Sequence, residues 1–247
     1  MNADASWREN LGANLRGERL AGPTMKPTVV TPSQPWSRAM PVSPPIKPED
    51  ANDGVQKTYN RIKETFGEGE VPTGFQMMAQ CEPLLADSYM NYRKFVVDGD
   101  GLLDDKQRKA IALATVSAMN CVHCVRSHSK EAVAKGIMNE QEVQDVLGVT
   151  ATCAMYNTYY KFKDMAGDDK FEAMTPGLRA HAFQRTTLDD ATVELINIVV
   201  SNINGCLKCT SGHVAKSLQL GLTHEQIDSA MKISATMSAI ATFHRTQ

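Results

Sequence analysis

"CVHCVRSH" at residues 121–128 and "CLKCTSGH" at residues 206–213 are one pattern, C-x-x-C-x-x-x-H, written twice in a chain 85 positions apart. The two copies use four of the six cysteines and two of the six histidines. The same offset reaches well beyond them: Leu103, Asp104, Asp105, Ile111 and Gly136 return as Leu188, Asp189, Asp190, Ile196 and Gly221. After a single-residue gap, Asn139-x-x-Glu142 returns as Thr223-x-x-Gln226, and both read as capping boxes that start a helix. Self-similarity on this scale means a repeated structural unit, and it fixes the architecture before any single residue does. Each unit reads as a helix, a short turn, the motif helix, a glycine stop and a capped helix.

The rest of the chain from Pro48 is helical in its periodicity, with no alternating strand pattern. "PEDANDGVQKTYNRIKETFG" carries acids in its first turn and ends at Gly67. Further helices follow to about Gly99 with a break near Pro83, and a long helix is expected from about Asn139 to Met165. A connector around 167–187 has room for one short helix, and a terminal helix starts near His224. The expected fold class is all-α, with an internal repeat of helical hairpins: a first half over 48–166 and a second repeat over 167–247.

Residues 1–47 differ in kind. The first fifty residues hold eight of the eleven prolines and both tryptophans. Proline at that density opposes helices and ladders, so 1–47 reads as an extended or disordered arm. The alternative is a strap around a neighbouring subunit, anchored by Trp36.

A net charge of -2 supplies no basic field for nucleic acid or an anionic membrane. No apolar run approaches the ~20 residues of a membrane helix, and the N-terminus lacks the apolar core of a secretory signal. Six cysteines in 247 residues are too few for a disulfide-stapled secreted scaffold, so the expected setting is the reducing cytoplasm.

Paired C-x-x-C in that setting means dithiol chemistry or metal binding. In the second copy Asn204-Gly205 breaks an apolar helix, and Cys206 falls in the first turn of the next one, where free N–H groups favour a thiolate. Cys206 and Cys209 share a helical face and can form a disulfide. His213 lies one turn beyond Cys209, placed to take its proton. Glu194 sits in "VELINIVV", where a lone carboxylate is costly to bury. If the chain reverses at Asn204-Gly205, Glu194 and His213 come nearly level across the hairpin, at roughly 15 and 10 Å from the turn. The implied relay is Glu194, His213 and Cys209, with Cys206 as the partner sulfur and a carboxyl whose pKa burial raises. The first copy has Cys121, Cys124 and His128, but Lys109 stands at the Glu194 position; His123, inside "CVHC", is a candidate compensation. A Cys₄ zinc site built from two knuckles is the rival reading. Cys81 and Cys153 read as small core residues, and His181, His224 and His244 have nothing to single them out.

"VELINIVVSNINGCLKCTSGH" and "KAIALATVSAMNCVHCVRSH" resemble the carboxymuconolactone decarboxylase superfamily, specifically its alkylhydroperoxidase (AhpD-like) branch. That pattern sets a glutamate twelve residues before C-x-x-C and a histidine four after its second cysteine; the first copy lacks the glutamate. The resemblance covers about 50–247. It implies an all-α fold, a homo-oligomer (trimer or hexamer), and a peroxidase in which Cys209 attacks a hydroperoxide and Cys206 resolves the sulfenic acid. No cofactor or metal is implied; the reductant would be an external dithiol, a lipoyl-bearing protein or a peroxiredoxin. A non-catalytic redox sensor or interaction protein of the same family, and a zinc-stabilised scaffold, are the alternatives.

Overall fold

A computed structural model describes residues 43–67 and 71–247; most of the expected arm, with Trp36, lies outside them. Asn52 caps α1 (Asp53–Phe66), its Oδ1 accepting from the Val55 N–H at 2.9 Å, and Gly67 ends it at φ 91°. Val55, Tyr59 and Ile62 form its buried stripe. The Tyr59 hydroxyl donates to the Ile46 carbonyl at 2.7 Å, so the last stretch of the expected arm lies on the helices instead of being free of them.

α2 (Thr73–Met78) and α3 (Glu82–Asn91) follow, with Pro83 inside the first turn of α3 where its missing N–H costs nothing. α3 runs on into a π-helical segment, Tyr92–Asp98. Arg108 holds the end of that segment, donating to the carbonyls of Val96, Val97 and Leu103.

The first repeat is α4 (Asp105–Ala118), α5 (Val122–Ala134) and α6 (Glu140–Ala166). A connector holds the short α7 (Asp169–Ala173). The second repeat is α8 (Asp190–Ile203), α9 (Leu207–Gln219) and α10 (His224–His244). The capping boxes expected at Asn139/Glu142 and Thr223/Gln226 are both formed. All regular structure among the described residues is helical, as the sequence predicts.

α4 and α8 pack against each other at the centre. Ala110 to Ala114 and Leu195, Ile196, Val199 and Val200 are fully buried, which is the signature of helices surrounded on all sides. Each repeat then reaches into the other: α6 packs on α8, and α10 packs on α4. The two repeats therefore share one core, with a C-x-x-C helix carried on each outer flank by α4 and by α8.

Candidate active site

The turn that presents each cysteine pair is the same device in both copies. Gly205 closes α8 with φ 65°, and Asn120 closes α4 with φ 57° at the equivalent position. The Cys206 N–H returns to the Ser201 carbonyl and the Gly205 N–H to that of Asn202, both at 3.0 Å. Cys121 and Asn120 repeat this with Val116 and Ser117. This is a Schellman closure, and the residue that completes it is the N-cap of the next helix. Each first cysteine is therefore an N-cap rather than a first-turn residue: Cys206 Sγ accepts from the Cys209 N–H at 3.3 Å, and Cys121 Sγ from that of Cys124 at 3.4 Å. Both pairs are joined as disulfides, with Cα atoms 5.3 Å apart.

In the second copy the hairpin brings Glu194 level with His213, as the helical rise predicts. The Glu194 side chain is 2% exposed and its Oε2 lies 2.7 Å from His213 Nδ1. Lys216 Nζ donates to Glu194 Oε1, also at 2.7 Å, its tip reaching solvent. Burial alone would push the Glu194 carboxyl up, but His213 and Lys216 outweigh it and hold the group below the ordinary carboxylate value. That reverses the expectation of a raised pKa. An ionised carboxylate only accepts, so Nδ1 of His213 donates and its Nε2 is left free as a proton acceptor. Cys209 and His213 open onto one cavity of about 370 Å³, walled by Tyr156, Asn157 and Tyr160 of α6. Lys208, between the two cysteines, ties the start of α9 to Asp164 and Glu172 at 2.7 and 2.9 Å.

The first copy has the same backbone and different electrostatics. Lys109 Nζ donates to Glu131 Oε2 at 2.9 Å, and Lys135 bonds the other oxygen at 2.8 Å. Burial would raise the Glu131 carboxyl, yet the two lysines bring it down to about 2. Burial, with Lys109 adding to it, depresses the His128 imidazole to about 4, and its Nδ1 has no hydrogen-bond partner. Cys124, His128, Glu131 and Tyr92 line a smaller cavity of about 100 Å³, together with Phe66, Phe75 and Ile240. His123 faces this cavity too, its ring centroid 5.6 Å from that of His244.

The model of the Carboxymuconolactone decarboxylase family matches residues 83–159 and matches again over 169–245, more than half the chain. Proteins named Alkyl hydroperoxide reductase AhpD are similar to it. The one from Corynebacterium aurimucosum is 38% identical over 104 residues, 42% of this chain and 58% of its own length. That of Koribacter versatilis is 33% identical over 108 residues, 44% of this chain and 56% of its own. That of Corynebacterium kroppenstedtii is 31% identical over 139 residues, 56% of this chain and 78% of its own. The chain belongs to the carboxymuconolactone decarboxylase family, in its AhpD-like branch. It spans little more than half the length of the first two relatives, at 58% and 56%.

Within that family frame, both C-x-x-C-x-x-x-H motifs sit at equivalent turns of the two matched segments. The structure gathers Glu194, Cys206, Cys209 and His213 in one place and Cys121, Cys124, His123 and His128 in another. Reading the sequence missed Lys216, Glu131, Tyr92 and His244. Applying the repeat offset to charged residues would have found the first two, because position 131 maps onto 216. Cys153 is a core residue as expected, bonded to Asn157 and Ser201, and burial pushes its thiol up to about 11. Cys81 is exposed at the start of α3, which corrects its reading as a core cysteine: that helix buries Leu85 and Tyr89 and leaves its N-cap outside. Among the described residues no three His, Cys, Asp or Glu side chains converge as a metal site, and the disulfide partner of each motif cysteine lies within its own motif.

Proposed function

We propose that the chain is a thiol-dependent hydroperoxide reductase whose principal centre is Cys206, Cys209, His213 and Glu194. The observation that carries this reading is the part-buried Glu194–His213 hydrogen bond of 2.7 Å beside a disulfide that opens onto a cavity. In the reduced enzyme the Cys209 thiol passes its proton to His213 Nε2. The thiolate then attacks the hydroperoxide: an S–O bond forms, the O–O bond breaks, and the alcohol leaves with a proton. The Cys206 thiol attacks the resulting Cys209 sulfenic acid, the S–S bond forms and water departs. An external dithiol, free or lipoyl-bearing, or a peroxiredoxin partner reduces the disulfide and is itself oxidised. No bound cofactor is invoked, and a cytoplasmic homo-oligomer, a trimer or hexamer, is the expected assembly.

Cys209 exceeds Cys206 in exposure, 9% against 1%, consistent with the outer sulfur meeting substrate and the inner one resolving. Turnover of several hydroperoxides with dihydrolipoamide, in wild type and variants, tests the reading. Cys209→Ser should abolish it, and Glu194→Gln should slow it by about 10²-fold, the low end for a positioned acid–base group. Cys124→Ser should cost less than either. Greater damage from Cys124→Ser would invert the ranking of the two centres, and no turnover with any peroxide would leave the redox-sensor reading in place.

A further inference from the structure

One difference between the two dithiols is an exchange of charges between paired positions. At the position on the first helix of each hairpin stand Lys109 and Glu194; at the position on the motif helix stand Glu131 and Lys216. Both pairs are formed, at 2.9 and 2.7 Å, and each bridges the two helices of its own hairpin. The polarity is reversed while the backbone is kept. Only in the second copy does the carboxylate hydrogen-bond the imidazole: His213 Nδ1 has Glu194, whereas His128 Nδ1 has no partner and lies in the field of the Lys109 ammonium, which lowers its pKa, and of Glu131, which raises it by less.

We propose that the polarity of this interhelical ion pair decides whether a dithiol can hand its proton to the motif histidine, making Glu194–Lys216 an enabling arrangement and Lys109–Glu131 a blocking one. In the second copy the proton leaves a cysteine thiol for His213, and the imidazolium so formed is neutralised by Glu194, which its hydrogen bonds with His213 and Lys216 keep ionised. In the first copy the same transfer would place an imidazolium beside a buried ammonium, with Glu131 already committed to Lys109 and Lys135. The first dithiol then loses its proton to solvent, at higher pH. Lys109, Glu131, Lys216 and Glu194 are positioning residues here: they act through the histidine.

The other groups around each centre do not cancel this difference. On the first side they are Tyr92 from the π-helical segment, His123 of α5 and His244 of α10. Burial holds His244 near 4 and pushes the Tyr92 phenol far up, so both are neutral near pH 7. On the second side Lys208 of α9 is tied to Asp164 and Glu172, and α6 contributes Tyr156, Tyr160 and the buried Cys153 thiol. A pair polarity that only stabilised the hairpin would leave thiol chemistry untouched, which makes the reactivity of each dithiol the deciding measurement.

The inference rests on the dithiol reading above but is tested without peroxide. Full-length protein carrying Cys81→Ser is prepared with either Cys121→Ser/Cys124→Ser or Cys206→Ser/Cys209→Ser, so that one reduced dithiol remains. Its alkylation by iodoacetamide is followed against pH. The second dithiol should react about tenfold faster than the first at pH 7, equivalent to one unit of thiol pKa. Lys109→Glu/Glu131→Lys should raise the first dithiol's rate toward the second's, and Glu194→Lys/Lys216→Glu should lower the second's. Where a double reversal fails to fold, Lys109→Met removes the cation while Glu131 keeps Lys135, and should move the first dithiol in the same direction by less. Equal rates for the two wild-type dithiols at pH 7 would overturn the proposal, as would an unchanged profile in folded Lys109→Met. Failure to turn over peroxide would sink the enzymatic reading alone.

Discussion

His128 is expected to cost the fold stability in acid. Its imidazole is 8% exposed, its Nδ1 is unpartnered, and burial with Lys109 brings its pKa to about 4, against 6.5 for a free histidine. The folded-state value is the depressed one. The unfolded chain therefore binds the proton first, and stability present above pH 6.5 is lost as pH falls toward 4. Between pH 7 and pH 5 the loss through this one residue comes to about 2 kcal/mol, and below pH 4 to about 3 kcal/mol, at 1.36 kcal/mol per pKa unit. That is a large part of a typical stability of roughly 5–15 kcal/mol. Urea unfolding at pH 7 and pH 5 measures it, comparing wild type with His128→Leu, which keeps an apolar side chain of similar bulk and cannot titrate. The variant's pH 7 to 5 difference should be smaller than wild type's by about 2 kcal/mol. His244, also near 4, adds to the same slope and survives in the variant as an internal control. A variant as acid-sensitive as wild type would mean that His128 finds a partner for its charge, with Glu131 the nearest carboxylate, and the electrostatic contrast between the two centres would fail with it.

The turn before each cysteine pair gives a second test. Gly205 sits at φ 65° with nothing within 4 Å of a Cβ built on it, so Gly205→Ala should cost only backbone strain, about 1–2 kcal/mol in urea unfolding. Gly205→Asn should cost clearly less than the alanine, because Asn120 already occupies the left-handed position in the other copy. A third test separates the two cysteines outside the motifs. Native protein treated with a maleimide at pH 8 should be labelled at exposed Cys81 and spared at Cys153, whose thiol lies near 11; peptide mass spectrometry reads the sites. Prompt labelling of Cys153 would mean that the cavity beside Cys209 opens far more than its packing allows.

The sequence discloses the geometry of both centres better than their electrostatics, for a physical reason. Helical rise, a glycine stop and a C-x-x-C spacing are local quantities, so Glu194 level with His213 follows from counting residues on either side of a turn. The Asn204-Gly205 closure and the caps at Asn139 and Thr223 are local in the same sense. The protonation state of a carboxyl depends instead on what arrives from elsewhere. Glu194 in an apolar helix reads as a desolvated acid with a raised pKa; in the fold His213 and, added to it, the Lys216 ammonium each come to 2.7 Å, and the direction reverses. By itself Lys216 looks like any solvated lysine on a helix face, and Glu131 like any surface glutamate. Neither becomes visible until the repeat offset sets them side by side and Lys109 and Glu194 are seen to exchange sign in step.

That exchange also explains why the shared backbone does not make the copies equivalent. A lone Lys109 in place of Glu194 would leave a buried ammonium uncompensated on α4, at a cost of several kcal/mol. Glu131 offsets part of that cost, although burial still holds the Lys109 pKa below its ordinary value, and the first hairpin keeps the turn, the N-cap cysteine and the disulfide of the second. The fold is thus indifferent to the polarity of the pair, while the histidine next to it is not. If the polarity of the pair sets proton transfer, trading two side chains is enough to set the two dithiols apart within one scaffold.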